Sequence, residues 1–212
     1  MAPQISKVGN DAIFSEDIKR GKSCIFVEES DGRLKLVEPI EGPADNEIWY
    51  TTSDRKVSNY EMHDYSKNTI LSNTYMDNGC VTFNSSITNI CGNVDYGCSS
   101  FYTEDGRPTL IGDRVVSVIL PNTVHTIDAY GFGQLYELTS ITLPGSILNI
   151  GAHAFYNCQS LRDIYFNGTK EQWDSIQKYS DDGYMTWNQG CPEITVHCTD
   201  GDITIPAWTE PA

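Results

Sequence analysis

A repeated unit of 23 residues is the feature that most constrains how this chain folds. Three short apolar stretches follow one another at that spacing: VVSVIL at 115–120, LTSITL at 138–143 and LRDIYF at 161–166. The residues between them also correspond, because Pro121 maps onto Pro144 and Phe132 onto Phe155. A unit of this size cannot bury its apolar face alone, so consecutive units must stack to form a continuous core. The sequence therefore predicts a short solenoid.

Each unit carries its apolar residues at fixed phases, as stacked strands require. Val118, Ile141 and Ile164 share one such phase. A proline follows the first two stretches and ends the strand, because it has no N–H to donate to a sheet ladder. We expect Gly151 to form a corner with positive φ, and the chain to turn back through a short piece that ends at Phe155.

The second unit resembles a known repeat family. Its motif residues are Leu143-Pro144, Ile147, Ile150-Gly151, Ala154-Phe155, Cys158, Leu161 and Ile164. They resemble the BspA-like leucine-rich repeat, whose units read LP, V/I, IG, AF, C, L, I. The first unit matches less closely, with Asp128, Gly131 and Leu135 in place of Gly, Ala and Cys. The resemblance implies surface display and binding rather than chemistry, as in adhesins of host-associated bacteria and similar arrays in their phages.

The resemblance covers roughly residues 46–204. Val81–Phe83, Ile87 and Ile90 are similar to the start of a further unit, which precedes Val118, Leu120, Val124 and Ile127 by 37 positions. That unit would be 14 residues longer than the repeat period, and 96–107 would form the enlarged loop. Glu47–Thr52 resembles a phrase found ahead of such arrays, and Asn167–Trp173 one that closes them. In the turn at 53–56, which follows the leading phrase, Arg55 stands where the family usually has Gly.

Three regions follow from these patterns: residues 1–45 as a docking or oligomerisation element, 46–166 as the repeat region and 167–212 as a C-terminal cap. The fold class is β-rich: a short leucine-rich-repeat solenoid of about 23-residue repeats, with an N-terminal β-hairpin and a C-terminal helix plus hairpin.

The N-terminal region holds a short helix at 15–20 and a hairpin with strands at 23–27 and 33–37, joined by an Asp-Gly turn. Its docking residues are Ile18, Phe26, Leu34 and Leu36. In the cap, Thr169 and Gln172 form a capping box that opens a helix over 170–177, and a second hairpin has strands at 194–198 and 203–205.

The charge of the chain excludes several partners. A formal net charge of −15 argues against nucleic acid and anionic membranes, because binding to phosphates is driven by Lys and Arg. No stretch approaches the ~20 apolar residues of a membrane span.

Residues 1–14 lack a hydrophobic segment of the kind that directs secretion. We therefore expect a virion protein assembled in the host cytoplasm, with a bacterial cell-surface protein as the alternative.

The chain shows no pattern of catalytic or metal-binding residues. It lacks the nucleophile-elbow, P-loop, dinucleotide and H-E-x-x-H motifs, so we expect neither an enzyme nor a cofactor. The four histidines lie far apart, and we expect His125 and His153 to be exposed. Asp181-Asp182 or Asp200-Gly201-Asp202 could hold calcium, although turn chemistry explains both.

Seven cysteines at irregular spacing argue for free thiols. Cys158 falls on the phase of Leu135, which favours a buried apolar role. A bridge between Cys91 and Cys98, or between Cys191 and Cys198, remains the alternative.

The chain is thus predicted to be a non-catalytic structural and binding protein. The leading hypothesis is a phage virion component, fibre- or capsid-associated, and the alternatives are a bacterial adhesin and a glycan-binding module. Partners would be other virion or surface-assembly proteins, further copies of the chain, or a host surface protein or glycan. The candidate binding residues are Tyr102, Tyr130, Tyr136, Tyr165 and Trp173. Trp173 is expected to cover the last repeat, and stacking on a carbohydrate is the alternative for it.

Overall fold

The computed structural model describes residues 25–28, 34–37, 42–60, 70–91, 110–111, 114–179 and 185–210. The chain divides into two compact units, Met1–Glu41 and Gly42–Ala212. Among the helical residues described, none forms a segment long and apolar enough to cross a bilayer.

The first unit contains an antiparallel hairpin of strands β1 (Ile25–Glu28) and β2 (Leu34–Val37). Ile25 lies opposite Val37, and Glu28 opposite Leu34. The predicted hairpin is therefore confirmed. The expected docking residues Phe26, Leu34 and Leu36 lie on these strands, whereas Ile18 and the predicted helix at 15–20 lie outside the described residues.

The regular elements described in the second unit are strands, apart from one short helix. They are β3 (Glu47–Thr52), β4 (Asn59–Tyr60), β5 (Ile70–Tyr75), β6 (Gly79–Phe83), β7 (Asn89–Ile90), β8 (Leu110–Ile111), β9 (Val115–Ile119), β10 (Thr126–Ile127), β11 (Ser140–Pro144), β12 (Asn149–Ile150), β13 (Asp163–Asn167), β14 (Gln177–Lys178), β15 (Ile194–Cys198) and β16 (Gly201–Ile205). A short helix, α1, spans Lys170–Ser175. The β-rich repeat fold predicted from the sequence is confirmed.

An eight-stranded sheet forms one side of the repeat, in the order β16-β15-β13-β11-β9-β3-β6-β5. Strands β9, β11, β13 and β15 run parallel, and Ile141 pairs with both Val118 and Ile164. These three side chains are at most 1% exposed, so the 23-residue register predicted from the sequence is the register of the core.

A four-stranded parallel sheet forms the second side, in the order β14-β12-β10-β7. Ile90, Ile127 and Ile150 stack in register across it and are at most 1% exposed. The predicted 37-residue correspondence between Ile90 and Ile127 is therefore confirmed.

The same correspondence is wrong for the strand that contains Val81. Strand β6 does not lie next to β9, because β3 is inserted between them and pairs antiparallel with both. Ile48 and Tyr50 on β3 are buried, so this strand covers the end of the parallel array with apolar side chains of its own.

The turns that join the two sheets recur with the repeat. Tyr130 and His153, one period apart, have φ of 59° and 55°. Gly151 is not in the positive-φ region, contrary to expectation. Its lack of a side chain serves close packing instead, because a Cβ there would lie 2.7 Å from the backbone nitrogen of Ala129. Arg55 has φ of 56° at the position where the family has Gly.

Helix α1 begins with the predicted capping box, in which Gln172 N donates to Thr169 Oγ1 and Thr169 N donates to Gln172 Oε1. The helix ends two residues earlier than predicted. Ile176 is extended, and Gln177 and Lys178 form β14, which pairs with β12. The second hairpin is confirmed: β15 pairs antiparallel with β16 and parallel with β13, so the repeat sheet continues past Phe166.

Candidate binding face

The eight-stranded sheet turns one face away from the core. On β13, Ile164 and Phe166 are buried whereas Tyr165 between them is 46% exposed, because side chains alternate along a strand. The pairing aligns Tyr165 with four partly exposed residues on neighbouring strands. We call these five residues the outer row: Trp49, Ile119, Thr142, Tyr165 and His197. With adjacent strands about 4.8 Å apart, the row extends over roughly 19 Å.

His197 connects three strands at one end of the outer row. Its Nε2 lies 2.9 Å from Asp163 Oδ1 on β13, and its Nδ1 lies 3.0 Å from Asp202 Oδ1 on β16. The hydrogen bond to Asp163, together with Asp202, raises the pKa of the imidazole. Both nitrogens are thereby occupied, so the ring has no free nitrogen with which to accept a proton from a substrate.

Tyr165 stacks on the same imidazole. The two ring centroids are 4.8 Å apart and the planes differ by 18°. Stacking against a histidine held from both sides fixes the tyrosine while leaving about half of it in solvent. A rigid, amphipathic ring of this kind is typical of the residues that anchor protein partners.

The other end of the outer row is held in a similar way. Trp49 Nε1 donates to Glu47 Oε2 at 3.0 Å, and the hydroxyls of Thr51 and Ser117 lie 2.6 Å apart beside it. Glu47, Asp163 and Asp202 therefore make the rim of the row acidic.

Four of the five residues proposed for binding lie in the described part of the chain, in different environments. Tyr165 lies in the outer row, and Tyr136 is 42% exposed in the turns between β10 and β11. Tyr130, in the same turns, has its hydroxyl 2.6 Å from His153 Nδ1. Tyr102 lies outside the described residues.

Trp173 is only 1% exposed, and the glycan-stacking alternative for it is wrong. Its ring packs against Phe166 and Trp187 at centroid distances of 5.4 and 6.2 Å, and the Lys178 ammonium lies 4.6 Å from its centroid. With these neighbours the ring offers no face to a ligand, whereas its contact with Phe166 fits the expected covering role.

Sequence reasoning missed the part that His197 plays. The alternation of β13 and β15 places Tyr165 and His197 on the same face, but only the strand pairing makes them neighbours. The expectation that His153 is exposed is wrong: it is 8% exposed, and its Nε2 lies 2.5 Å from Gln189 Oε1.

No three His, Cys, Asp or Glu side chains converge to hold a metal ion within the part of the chain that the structure describes. In the 200–202 turn, Asp202 binds His197 and Asp200 Oδ1 accepts a hydrogen bond from Lys170 N at 2.8 Å. These carboxylates therefore bind a histidine side chain and the first turn of helix α1. Asp181 and Asp182 lie outside the described residues.

The core cysteines are inert thiols. Cys158 Sγ donates to Phe132 O at 3.0 Å, and Cys191 Sγ donates to Phe155 O at 3.1 Å. Burial raises the pKa of Cys158 well above its usual range and that of Cys191 to about 12. Cys191 and Cys198 are separate thiols, so the alternative of a bridge between them is wrong. Cys98 lies outside the described residues.

Comparison with known families agrees with this geometry. Residues 112–180 match the family described as "BspA type Leucine rich repeat region (6 copies)". No curated protein matches the chain significantly, and neither does any solved structure. Over residues 112–180 the chain thus matches the BspA-type leucine-rich repeat, and repeats of this type are typically non-catalytic and common on cell-surface or extracellular proteins.

Proposed function

We propose that this chain is a non-catalytic attachment protein whose outer row binds a protein partner. The observation that carries the proposal is Tyr165, which is 46% exposed, stacked on a doubly hydrogen-bonded His197 and aligned with other partly exposed residues of the row. The BspA-type repeat supports a binding, adhesin-like role in general.

The chemistry of the rim indicates the kind of partner. Glu47 lies at one end of the row and Asp163 and Asp202 at the other, and the whole chain has a formal net charge of −15. An acidic surface steers basic partners toward it and repels nucleic acid. The proposed partner is therefore a protein with a basic patch around an apolar centre that receives Tyr165.

Binding to intact host bacteria tests this function. Labelled protein is titrated onto cells, and the Tyr165→Ala variant is compared with Tyr136→Ala, which removes the other candidate tyrosine of similar exposure, outside the sheet. If the outer row is the binding site, Tyr165→Ala weakens binding at least about tenfold, as for an anchor residue, and Tyr136→Ala leaves it unchanged; the reverse result would place the site in the turns. Equal binding by both variants and the parent chain would refute the role of the outer row.

Pretreating the cells identifies the class of receptor. Protease should abolish binding if the receptor is a protein. Loss after periodate alone would instead favour the glycan-binding alternative.

We further propose that the protein is a virion component, with the N-terminal unit as its attachment point and the repeat unit directed outward. The division of the chain into Met1–Glu41 and Gly42–Ala212 supports two separate roles. Antibodies against the protein should label purified phage particles in electron micrographs. Labelling of the bacterial envelope without labelling of particles would favour a cell-surface adhesin.

Deleting residues 1–41 tests the role of the N-terminal unit. The shortened chain should remain soluble and bind cells, but it should no longer enter particles or form the oligomer of the full-length chain. Light scattering after size exclusion measures the oligomer, and incorporation despite the deletion would refute docking through this unit.

A further inference from the structure

A cleft of about 500 Å³ opens on the four-stranded sheet, on a different sheet from the outer row. Its polar lining consists of Thr126, Asp128, Asn149, Gln177, Lys178 and Tyr179. The volume lies within the ~300–1,000 Å³ typical of sites for small molecules. No step of the attachment function described above uses these residues.

Three uncharged polar side chains form a row along the cleft. Thr126, Asn149 and Gln177 occupy matching positions on β10, β12 and β14. Their backbone N–H groups bond to neighbouring strands, whereas their side chains have no hydrogen-bond partner within the described parts of the chain. The cleft therefore presents one hydroxyl and two amides, about 4.8 Å apart, with unused donors and acceptors.

The apolar surface of the cleft comes from Ala129, which is partly exposed, and from an aromatic edge. Ile127, Ile150 and Ala152 also line the cleft, but they are at most 2% exposed and offer almost no surface to a ligand. Gly151 allows the backbone here to lie close to the turn of the preceding unit, where a Cβ would meet Ala129 N at 2.7 Å. Tyr179 is 38% exposed and is held by its backbone N–H, which donates to Ile150 O at 2.8 Å.

The two charged residues of the cleft differ in what they can offer a ligand. Lys178 Nζ donates to the carbonyls of Trp173 and Ile176 and lies over the Trp173 ring, so it is directed inward. Burial also lowers the pKa of this amine. Asp128 Oδ2 accepts from Cys91 Sγ at 3.2 Å, which leaves lone pairs on the carboxylate for a further donor.

This combination selects against ions. An anion would meet the Asp128 carboxylate without an available cation, and a cation would find only one carboxylate. A neutral ligand with several hydroxyl groups satisfies the lining, because hydroxyls donate to Asp128 and both donate to and accept from the Asn149 and Gln177 amides. Its C–H surface would lie against Ala129 and the Tyr179 ring.

We propose that this cleft binds one neutral hexopyranose unit of a glycan. The site is independent of the protein-binding function proposed for the outer row, so either assignment can fail without the other. Exchange of single sugars should be fast, with dissociation constants in the millimolar range, because few hydrogen bonds are made and the cleft is open.

Chemical-shift mapping on the full-length chain tests the proposal. Methyl glycosides of glucose, galactose, mannose and N-acetylglucosamine are titrated into ¹⁵N-labelled protein, with inorganic sulfate as the anionic probe. At least one sugar should shift amide signals around Asn149 and Gln177, and sulfate should not. Failure of every sugar to shift these signals, or a response to sulfate alone, would overturn the proposal.

Variants then assign the binding to these side chains. Asn149→Ala combined with Gln177→Ala should raise the dissociation constant at least about tenfold. The control is Asn89→Ala, which removes an exposed amide from the same row of the sheet on β7 but outside the cleft. The variants' own spectra report whether they are folded. Unchanged affinity in the folded double variant, or an equal loss in Asn89→Ala, would contradict the assignment. Tyr165→Ala should leave sugar binding intact.

Discussion

Replacing Ile164 and Tyr165 separately with alanine tests the assignment of opposite faces to neighbouring residues on β13. Ile164 is 0% exposed and pairs with Ile141 and Val196 inside the stack. Ile→Ala removes three carbon atoms, which amounts to about 2.4 kcal/mol at roughly 0.8 kcal/mol for each buried CH₂. The cavity left in a packed core adds to this, so we expect a loss of about 3–4 kcal/mol.

Tyr165→Ala should cost much less. Its ring is 46% exposed in the folded protein and loses mainly its stacking on His197. Pairs of this kind contribute about 0.5–1.5 kcal/mol beyond the area they bury, and exposure reduces the burial part, so we expect about 1 kcal/mol.

Urea unfolding followed by circular dichroism measures both values. The midpoint should shift strongly for Ile164→Ala and slightly for Tyr165→Ala, with similar slopes. A loss below about 1 kcal/mol for Ile164→Ala would refute the repeat register. A larger loss for Tyr165→Ala than for Ile164→Ala would refute the identity of the outer face. If stability follows the expectation, any loss of cell binding by Tyr165→Ala reflects the surface itself.

Three further outcomes are expected. Cys158 and Cys191 should resist a thiol reagent in the native protein, whereas all seven cysteines should react in denaturant without reductant; a single reactive thiol would indicate disulfides. Because the pKa of His197 is raised above its usual value of about 6.5, its stabilising effect is fully present below that pH and is lost as pH rises through the folded value. The advantage of the parent chain over His197→Gln in urea should therefore shrink from pH 6 to pH 9, and a growing advantage would contradict the assignment. Gly151→Ala should destabilise the fold, because the added Cβ meets backbone atoms that cannot move aside; unchanged thermal unfolding would argue against this close packing.

The repeat could be predicted from the sequence because apolar residues at equivalent positions of stacked units must contact one another. Val118, Ile141 and Ile164 had to meet once the units were aligned, and they do. The capping box at Thr169 was equally predictable, since it depends on residues only three positions apart.

Contacts between segments that do not follow the 23-residue spacing could not be predicted from the repeat. Nothing in the sequence of β3 indicates that it inserts between β6 and β9. His197 reaches Asp163 because β15 pairs with β13 at a separation other than 23 residues, across a helix and a longer connection. His153 became buried because its partners, Tyr130 and Gln189, come from the repeat turns before and after it.

The same irregular segment explains how the four-stranded sheet ends at β14. Helix α1 lengthens the connection after β13, yet Gln177 still pairs with Asn149 and Lys178 with Ile150. At that last position a half-buried lysine replaces the isoleucines of the preceding strands, and its ammonium bonds to carbonyls of Trp173 and Ile176. A charged side chain at an inward phase discourages a further strand from adding to a sheet edge. Lys178, which ends the stack of isoleucines, thus also forms one end of the cleft. The uncharged side chains of the row from Thr126 to Gln177 stay open to solvent there.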